Sequence, residues 1–389
     1  MNAPTHLYRQ IFSLLSQHSQ YRDLRHLKTL AWMVSALIGS QKLSLPAWES
    51  YVQSKAQKAQ SYERRWKRFI SNARISVAAL YIPLVLAAMS GWSNGRVYLG
   101  LDTTMLWNRY CMIHVTVICG GRAVPLLWKV LEHKSASVEF SEYYPLLRKA
   151  HWLLRSYPNV MLLADRGFAN QAMVQWLQSS RWHWAIRIPC DVLVSGPLRR
   201  AVEVRRLWPP ITEAKLYHKV RLWSEAVLSV NLVLAYPKGV DEPWAVITDE
   251  RPTLETLWQY ALRFRLEELF LDSKSGAFEL EDSRFRNAQC LERLYLVAAL
   301  AILYATVYGM AVQVAGLRQQ VDSHWKRGLS YLKIGLRWLS GVLHKGRNVL
   351  ELKPLLQYDP EPCFASKKVR QRFYDQIWFS RLKTIRCTT

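Results

Sequence analysis

Residues 160–167 read VMLLADRG: an apolar run, then Asp165, then Arg166 and Gly167. A short apolar run bounded by a turn reads as a buried strand, and Gly167 permits a sharp exit from it. Asp165 then sits at the strand's end, on the rim where open α/β sheets place their ligands. Residues 97–102, VYLGLD, have the same form and end on Asp102. Between them lie Ile113–Ile118, followed by Cys119, Gly120 and Gly121, and a third apolar run at Ala123–Trp128. Phe140–Leu154 has the spacing of an amphipathic helix. Strands in series, a helix and a further strand imply an α/β arrangement with a mixed sheet. Taken singly, each aspartate is also compatible with an ordinary turn or cap.

Outward from this core the composition changes. Residues 1–85 read as helical and basic: Leu24, Leu27, Leu30, Ala31, Val34 and Leu37 recur at helical spacing, Gly39 and Ser40 break the pattern, and Leu45-Pro46 begins another helix. The pair is compatible with a helix-turn-helix. Next, residues 62–70 (YERRWKRFI) set Arg64, Arg65, Lys67 and Arg68 around Trp66 and Phe69, which suits either a solvated face or a phosphate-tracking one. Residues 181–250 read as β-rich, with Trp184–Ile188, Leu222–Leu234 and Trp244–Ile247 separated by prolines. Thr253–Leu271 reads as one strong helix with Thr253 as its N-cap. The remainder reads as mostly helical and basic. Within it, Leu294–Ala315 carries no charged residue and is long enough to span a bilayer, although Tyr295, Tyr304, Tyr308 and Gln313 favour a helix buried in a large core.

The charge balance narrows the partners. Against 29 Asp plus Glu stand 53 Lys plus Arg, a net +24. An excess of that size favours a polyanion, since each neutralised phosphate releases a counterion. The six cysteines (111, 119, 190, 290, 363 and 387) form no CxxC pair. That spacing implies no zinc site and no disulfide framework, and it fits a reducing cytoplasm. The first residues lack a signal peptide's apolar centre.

One segment concentrates chemistry. In residues 260–274, YALRFRLEELFLDSK, the residues Tyr260, Arg263, Glu267 and Lys274 recur at intervals that place them along one face of a continuous helix. A Tyr, an Arg and a Lys around one carboxylate suit a metal-holding acid whose neighbours grip phosphates. A salt-bridged surface helix with Arg263 and Glu267 as an i,i+4 pair is the alternative reading. Glu268 points to another face, as a structural residue, and Arg166 is expected to pair with a carboxylate.

The motif Y-x2-R-x3-E-x6-K, matched without a gap, resembles the signature of the bacterial insertion-sequence-4 family of cut-and-paste transposases. The segments LGLDTTML (99–106) and LLADRGFAN (162–170) are similar to that family's two aspartate strands, and residues 276–301 to its charged segment and apolar helix. The resemblance covers roughly residues 60–315. It implies an α/β fold with a ribonuclease-H-like catalytic core interrupted by a β-rich insertion, with helical N- and C-terminal regions. The corresponding segments are 1–85, a basic DNA-binding region; 86–180, the first part of the core; 181–250, the insertion; 251–320, the second part; and 321–389, the C-terminal region.

By the same resemblance, Asp102, Asp165 and Glu267 are the catalytic acids and the ligands of two Mg²⁺ ions, with Mn²⁺ as a substitute. Two such ions roughly 4 Å apart activate a nucleophile and stabilise the leaving oxygen. Tyr260, Arg263 and Lys274 correspond to DNA-binding residues. The implied activity is cleavage and strand transfer at insertion-sequence ends through a hairpin, with a tryptophan of the insertion stacking a displaced base; Trp182, Trp184, Trp208, Trp223 and Trp244 are the candidates. The expected partners are double-stranded DNA, as terminal inverted repeats and target, and a second copy in a homodimer on DNA. The expected place is the cytoplasm, at the nucleoid, with no membrane. The alternatives are a ribonuclease-H-like nuclease or resolvase without strand transfer, a catalytically silent DNA-binding derivative, and a membrane protein built around Leu294–Ala315.

Overall fold

A computed structural model describes residues 3–52, 58–92, 95–196, 199–223, 228–238, 242–273, 277–283, 285–347, 349–359 and 382–387. The fold is mixed α/β. In chain order, helices α1 (Ala3–His18), α2 (Leu24–Ser40), α3 (Ala59–Ser71) and α4 (Val77–Ala88) precede strands β1 (Val97–Leu106), β2 (Tyr110–Cys119) and β3 (Arg122–Glu132). Helix α5 (Phe140–Leu153), strand β4 (Val160–Ala164), helix α6 (Gln171–Ser180) and strands β5 (His183–Arg187), β6 (Leu193–Gly196), β7 (Arg199–Glu203), β8 (Glu213–Leu222), β9 (Leu228–Ala235) and β10 (Trp244–Thr248) follow. The chain continues through α7 (Leu254–Ala261), α8 (Phe264–Leu271), α9 (Ala288–Val314), α10 (Tyr331–Lys345) and β11 (Lys383–Cys387). These elements form two compact units: unit 1 comprises Met1–Ser93, Thr103–Ala136 and Leu266–Cys363, and unit 2 comprises Asn94–Asp102, Ser137–Arg265 and Phe364–Thr389.

Unit 1 is built on α9. All of the apolar stretch of this helix is buried, so its length and hydropathy are accounted for by a core position. Its N-cap Asn287 accepts from the Cys290 amide. Helix α10 packs on it through glycines: a Cβ at Gly309 would run into the Tyr331 carbonyl, and one at Gly335 into the Ala305 carbonyl. The β2–β3 hairpin turns at Gly120 and Gly121, both at positive φ, which glycine adopts without a Cβ clash. Its register slips between Val115 and Thr116, opposite Pro125, whose missing N–H cannot join the ladder. Glu292 of α9 ties the hairpin down by accepting from the Val130 amide at 2.9 Å.

Helix α3 buries Tyr62, Trp66, Phe69 and Ile70 and leaves Arg64, Arg65, Lys67 and Arg68 exposed. The element expected to begin at Leu45-Pro46 is a short 3₁₀ segment, Leu45–Tyr51, not an α-helix.

Unit 1 also holds a compact loop at residues 321–330. The Asp322 carboxylate is fully buried and accepts from the amides of His324, Gly328 and Leu329 at 3.2, 2.9 and 3.3 Å and from Arg318 Nη1 at 3.3 Å. Burial alone would raise its pKa, but the hydrogen bonds from His324, Gly328 and Leu329 outweigh burial and hold it below the usual carboxylate range.

Unit 2 is a sheet of order β1-β4-β5-β10-β9-β8-β6-β7, with β11 beside β8. β1, β4 and β5 are parallel neighbours, and the strands from β5 to β7 alternate in direction. At the start of β1, Arg96 forks onto Glu250 at 2.7 and 2.9 Å and reaches Asn159 Oδ1 at 2.9 Å, which fixes the β1–β4 register from its first residue pair. Of the segment expected as Leu222–Leu234, Leu222 is the last residue of β8 and Leu228–Leu234 lie in β9, which pairs antiparallel with β8. Beyond α10 the described residues contain no helix. The chain closes there on β11, which pairs parallel with β8.

Asp322 carries a pH dependence with a definite sign. A carboxylate with a depressed native pKa contributes stability above its unfolded pKa and loses it as pH falls through the native one. Asp322→Ala is therefore expected to cost about 3 kcal/mol at neutral pH. In urea unfolding, the gap to the wild type narrows as pH is lowered below about 4. A gap independent of pH contradicts the assignment.

Candidate active site

The candidate acids sit where the β1–β4 pairing puts them. The register runs from Val97 opposite Val160 to Leu101 opposite Ala164. Asp102 and Asp165 each follow that last pair directly, and Asp165 keeps an extended backbone, φ −82° and ψ 171°. Asp102 is thus the sixth residue of a ten-residue strand, not its last, while Asp165 follows directly on the end of β4. Both aspartates belong to unit 2.

Two residues of the motif meet those acids. Arg263 Nη1 donates to Asp102 Oδ2 at 2.7 Å, with side chains only 5% and 15% exposed. Tyr260 donates its phenolic hydrogen to Asp165 Oδ1 at 3.2 Å. Burial pushes the Tyr260 phenol well above its ordinary pKa, so it remains a donor at neutral pH. Trp244 of β10 packs edge-on to Tyr260, with centroids 5.3 Å apart, and at 5.6 Å from Phe264. The Arg263 guanidinium lies over the Phe264 ring at 5.0 Å. Aromatic packing thus holds the tyrosine and arginine in the orientations that reach the two acids.

The helix expected over Thr253–Leu271 is interrupted. Thr253 caps α7 as expected, its hydroxyl accepting from the Glu255 amide at 3.2 Å and its amide donating to Thr256 Oγ1 at 3.3 Å. After Ala261 the chain tightens into three-residue hydrogen bonds, Leu262 to Gln259 and Arg263 to Tyr260, and Arg265 in the first turn of α8 bonds likewise to Leu262. Tyr260, Arg263 and Glu267 therefore do not lie on one continuous helix. Tyr260 closes α7, Arg263 occupies the break, and Glu267 is exposed in the first turn of α8, within unit 1. Lys274 lies outside the described residues. In unit 1, Glu268 pairs with Arg122 at 2.5 Å.

Carboxylate oxygen is the donor that hard divalent cations prefer. Among the described residues no three His, Cys, Asp or Glu side chains gather into a metal-binding group. Glu242 went unnoticed in the sequence. It pairs with Arg166 at 3.0 Å and Arg187 at 3.1 Å, joining residues too far apart in the chain for any spacing signal. Of the tryptophans, Trp182, Trp184 and Trp244 are buried, whereas Trp208 and Trp223 are half-buried.

Tyr260→Phe removes one neutral donor and is expected to lower stability by about 1 kcal/mol. Arg263→Met withdraws the guanidinium from a nearly buried carboxylate and is expected to cost about 3 kcal/mol. Adding Asp102→Asn to Arg263→Met should recover part of that loss in urea denaturation, as a coupled pair requires. Strict additivity contradicts the pairing.

The profile of the family described as "Transposase DDE domain" matches residues 107–304. No curated protein matches the sequence. A solved piggyBac transposase synaptic complex with hairpin DNA is similar at 9% identity and TM-score 0.47, covering 89% of this chain and 81% of that one. Marinitoga piezophila Argonaute, in complex with 5′ OH guide RNA and target DNA, is similar at 10% identity and TM-score 0.21, covering 64% of this chain and 35% of that one. The family match spans half of the sequence, and on it the chain belongs to the transposases with a DDE domain.

Proposed function

We propose that this transposase cleaves and rejoins DNA at the ends of an insertion sequence, with Asp102, Asp165 and Glu267 as its catalytic acids. The observation that carries the reading is that Asp102 and Asp165, which follow the last registered pair of two parallel strands, each accept a hydrogen bond from a residue of the Tyr-Arg-Glu-Lys motif. Glu267 enters through that motif, four residues after Arg263. The full motif supports the insertion-sequence-4 branch of the family. The β1–β4–β5 parallel core supports a ribonuclease-H-like catalytic centre, with residues 86–180 and 251–320 as its two parts and 181–250 as an insertion.

The three acids would hold two Mg²⁺ ions, or Mn²⁺ in their place. When bound, such metal supplies the Lewis acidity that activates a nucleophile and stabilises a leaving oxygen. The chain's own groups do the rest. Arg263 holds Asp102, and Tyr260 keeps Asp165 oriented. Arg263 presents a planar fork suited to a phosphate, and Lys274 a mobile charge. Arg166 and Arg187, gathered on Glu242, add positive potential within unit 2. The same acids serve water in hydrolysis and a DNA 3′ hydroxyl in strand transfer, which is how a hairpin on the element end would form. Trp208 and Trp223, being half-buried, suit the stacking of a displaced base better than the buried Trp182, Trp184 and Trp244.

The net charge and the cationic face of α3 support terminal repeats and target DNA as partners, through the basic region 1–85 and the C-terminal region 321–389. Paired cutting of two ends calls for a homodimer on DNA, acting at the nucleoid in the cytoplasm.

Asp102→Asn, Asp165→Asn and Glu267→Gln are each expected to abolish Mg²⁺-dependent nicking of terminal-repeat DNA, read on denaturing gels, while retaining end binding. Normal cleavage by the variants refutes the assignment. Arg263→Ala and Lys274→Ala are expected to slow hairpin formation more than first-strand nicking, and equal slowing of both removes their special role. Affinity for the repeats should fall about a thousandfold between roughly 50 and 200 mM salt. A flat salt response contradicts a phosphate-led interface.

A further inference from the structure

The loop at residues 321–330 of unit 1 has an unusual division of labour. Its four outward residues, Ser323, His324, Trp325 and Lys326, are all exposed, and Trp325 is 90% exposed. Its framework is buried. Besides the Asp322 hydrogen bonds described above, Arg318 grips the backbone from below, donating to the His324 carbonyl at 3.1 Å and the Trp325 carbonyl at 3.3 Å. The His324 ring nitrogen lies 2.6 Å from Asp322 Oδ1, and the ring fills the space a Cβ at Gly328 would need. Arg327 closes the far side, ion-paired with Asp359 and with its guanidinium 3.9 Å over the Tyr331 ring. A buried acid, two buried arginines and a glycine thus fix a backbone whose purpose is not packing, since the largest side chain on it touches solvent.

We propose that Trp325 is a nucleic-acid stacking residue that binds the exposed face of an unpaired DNA base, with Lys326 beside it on the adjoining phosphate. Three observations select this partner over an apolar protein surface. The loop's one acid, Asp322, is fully buried, so the face it shows is aromatic and cationic. Arg337 of α10 is also exposed and donates to the Val321 carbonyl at 3.0 Å, placing a further positive side chain at the loop's edge. An indole presented on a fixed backbone loses little conformational freedom on stacking, and base–aromatic stacking is tolerant of sequence. The contact belongs to a part of the chain outside the catalytic motif and would serve DNA opened during excision or insertion. It rests on the reading of the chain as a DNA-acting transposase.

The test uses the full chain with two fluorescein-labelled probes of mixed sequence, a single strand and the corresponding duplex, read by anisotropy. Trp325→Ala is expected to weaken single-strand binding about tenfold or more, and duplex binding far less, while Trp325→Phe keeps most of the affinity. Lys326→Ala should lower the salt slope by about one unit. Because the indole is almost wholly exposed, these variants should unfold at the wild-type urea midpoint. Unchanged single-strand affinity in Trp325→Ala overturns the proposal. Equal losses on both probes overturn it as well, as does a change in sedimentation with no change in DNA affinity, which would mark a surface between copies of the chain. Wild-type protein that binds neither probe would sink the DNA-acting reading itself; wild-type binding that Trp325→Ala leaves intact sinks only the role of Trp325.

Discussion

Asp102 and Asp165 directly follow the last registered pair of two parallel strands, Leu101 and Ala164. Carboxylates taken partly out of water need positive charge or donated hydrogen bonds to offset their lost hydration. Arg263 and Tyr260 supply one of each, from a helix end and a turn that Trp244 and Phe264 hold in place. The Arg96–Glu250 fork at the other end of the same strands fixes their register. The pairing that builds the sheet thus also sets where the two aspartates begin.

The charge balance of the chain suits a polyanion. The chain has an excess of 24 positive charges, an exposed cationic face on α3, and arginines gathered on Glu242. Unit 1 contributes a different kind of stability. Helix α9, buried along its apolar centre, forms its axis, and close approach of α10 at Gly309 and Gly335 seals it. An apolar helix long enough for a bilayer is here the centre of a protein core.

The sequence revealed those features whose cause is local. VYLGLD and VMLLAD read as strands because apolar runs end on a charge, and Thr253 read as a cap because its hydroxyl satisfies an amide at a helix start. Features with distant causes were not legible. The break between α7 and α8 is invisible because Leu257, Trp258, Leu262 and Leu266 keep helical spacing straight through it. The run read from Leu222 includes only the last residue of β8, because Glu213, Lys215, His218, Lys219 and Arg221 break up the apolar pattern of that strand. Strand β11 depends on β8, far earlier in the chain, and its short segment has no pattern of its own. Glu242 with its two arginines, and Asp322 with its loop, are likewise made by tertiary neighbours. Asp165 was legible as a strand-end acid, whereas Asp102 lies inside β1, which runs on to Leu106.

Anomalous scattering from Mn²⁺ in crystals of the chain bound to its terminal repeats addresses the central claim directly. The account predicts manganese at about 2.1 Å from oxygens of Asp102, Asp165 and Glu267, with Arg263 turned to a DNA phosphate. Manganese bound elsewhere, with Asp102 and Asp165 still held only by Arg263 and Tyr260 while DNA is in place, would contradict it.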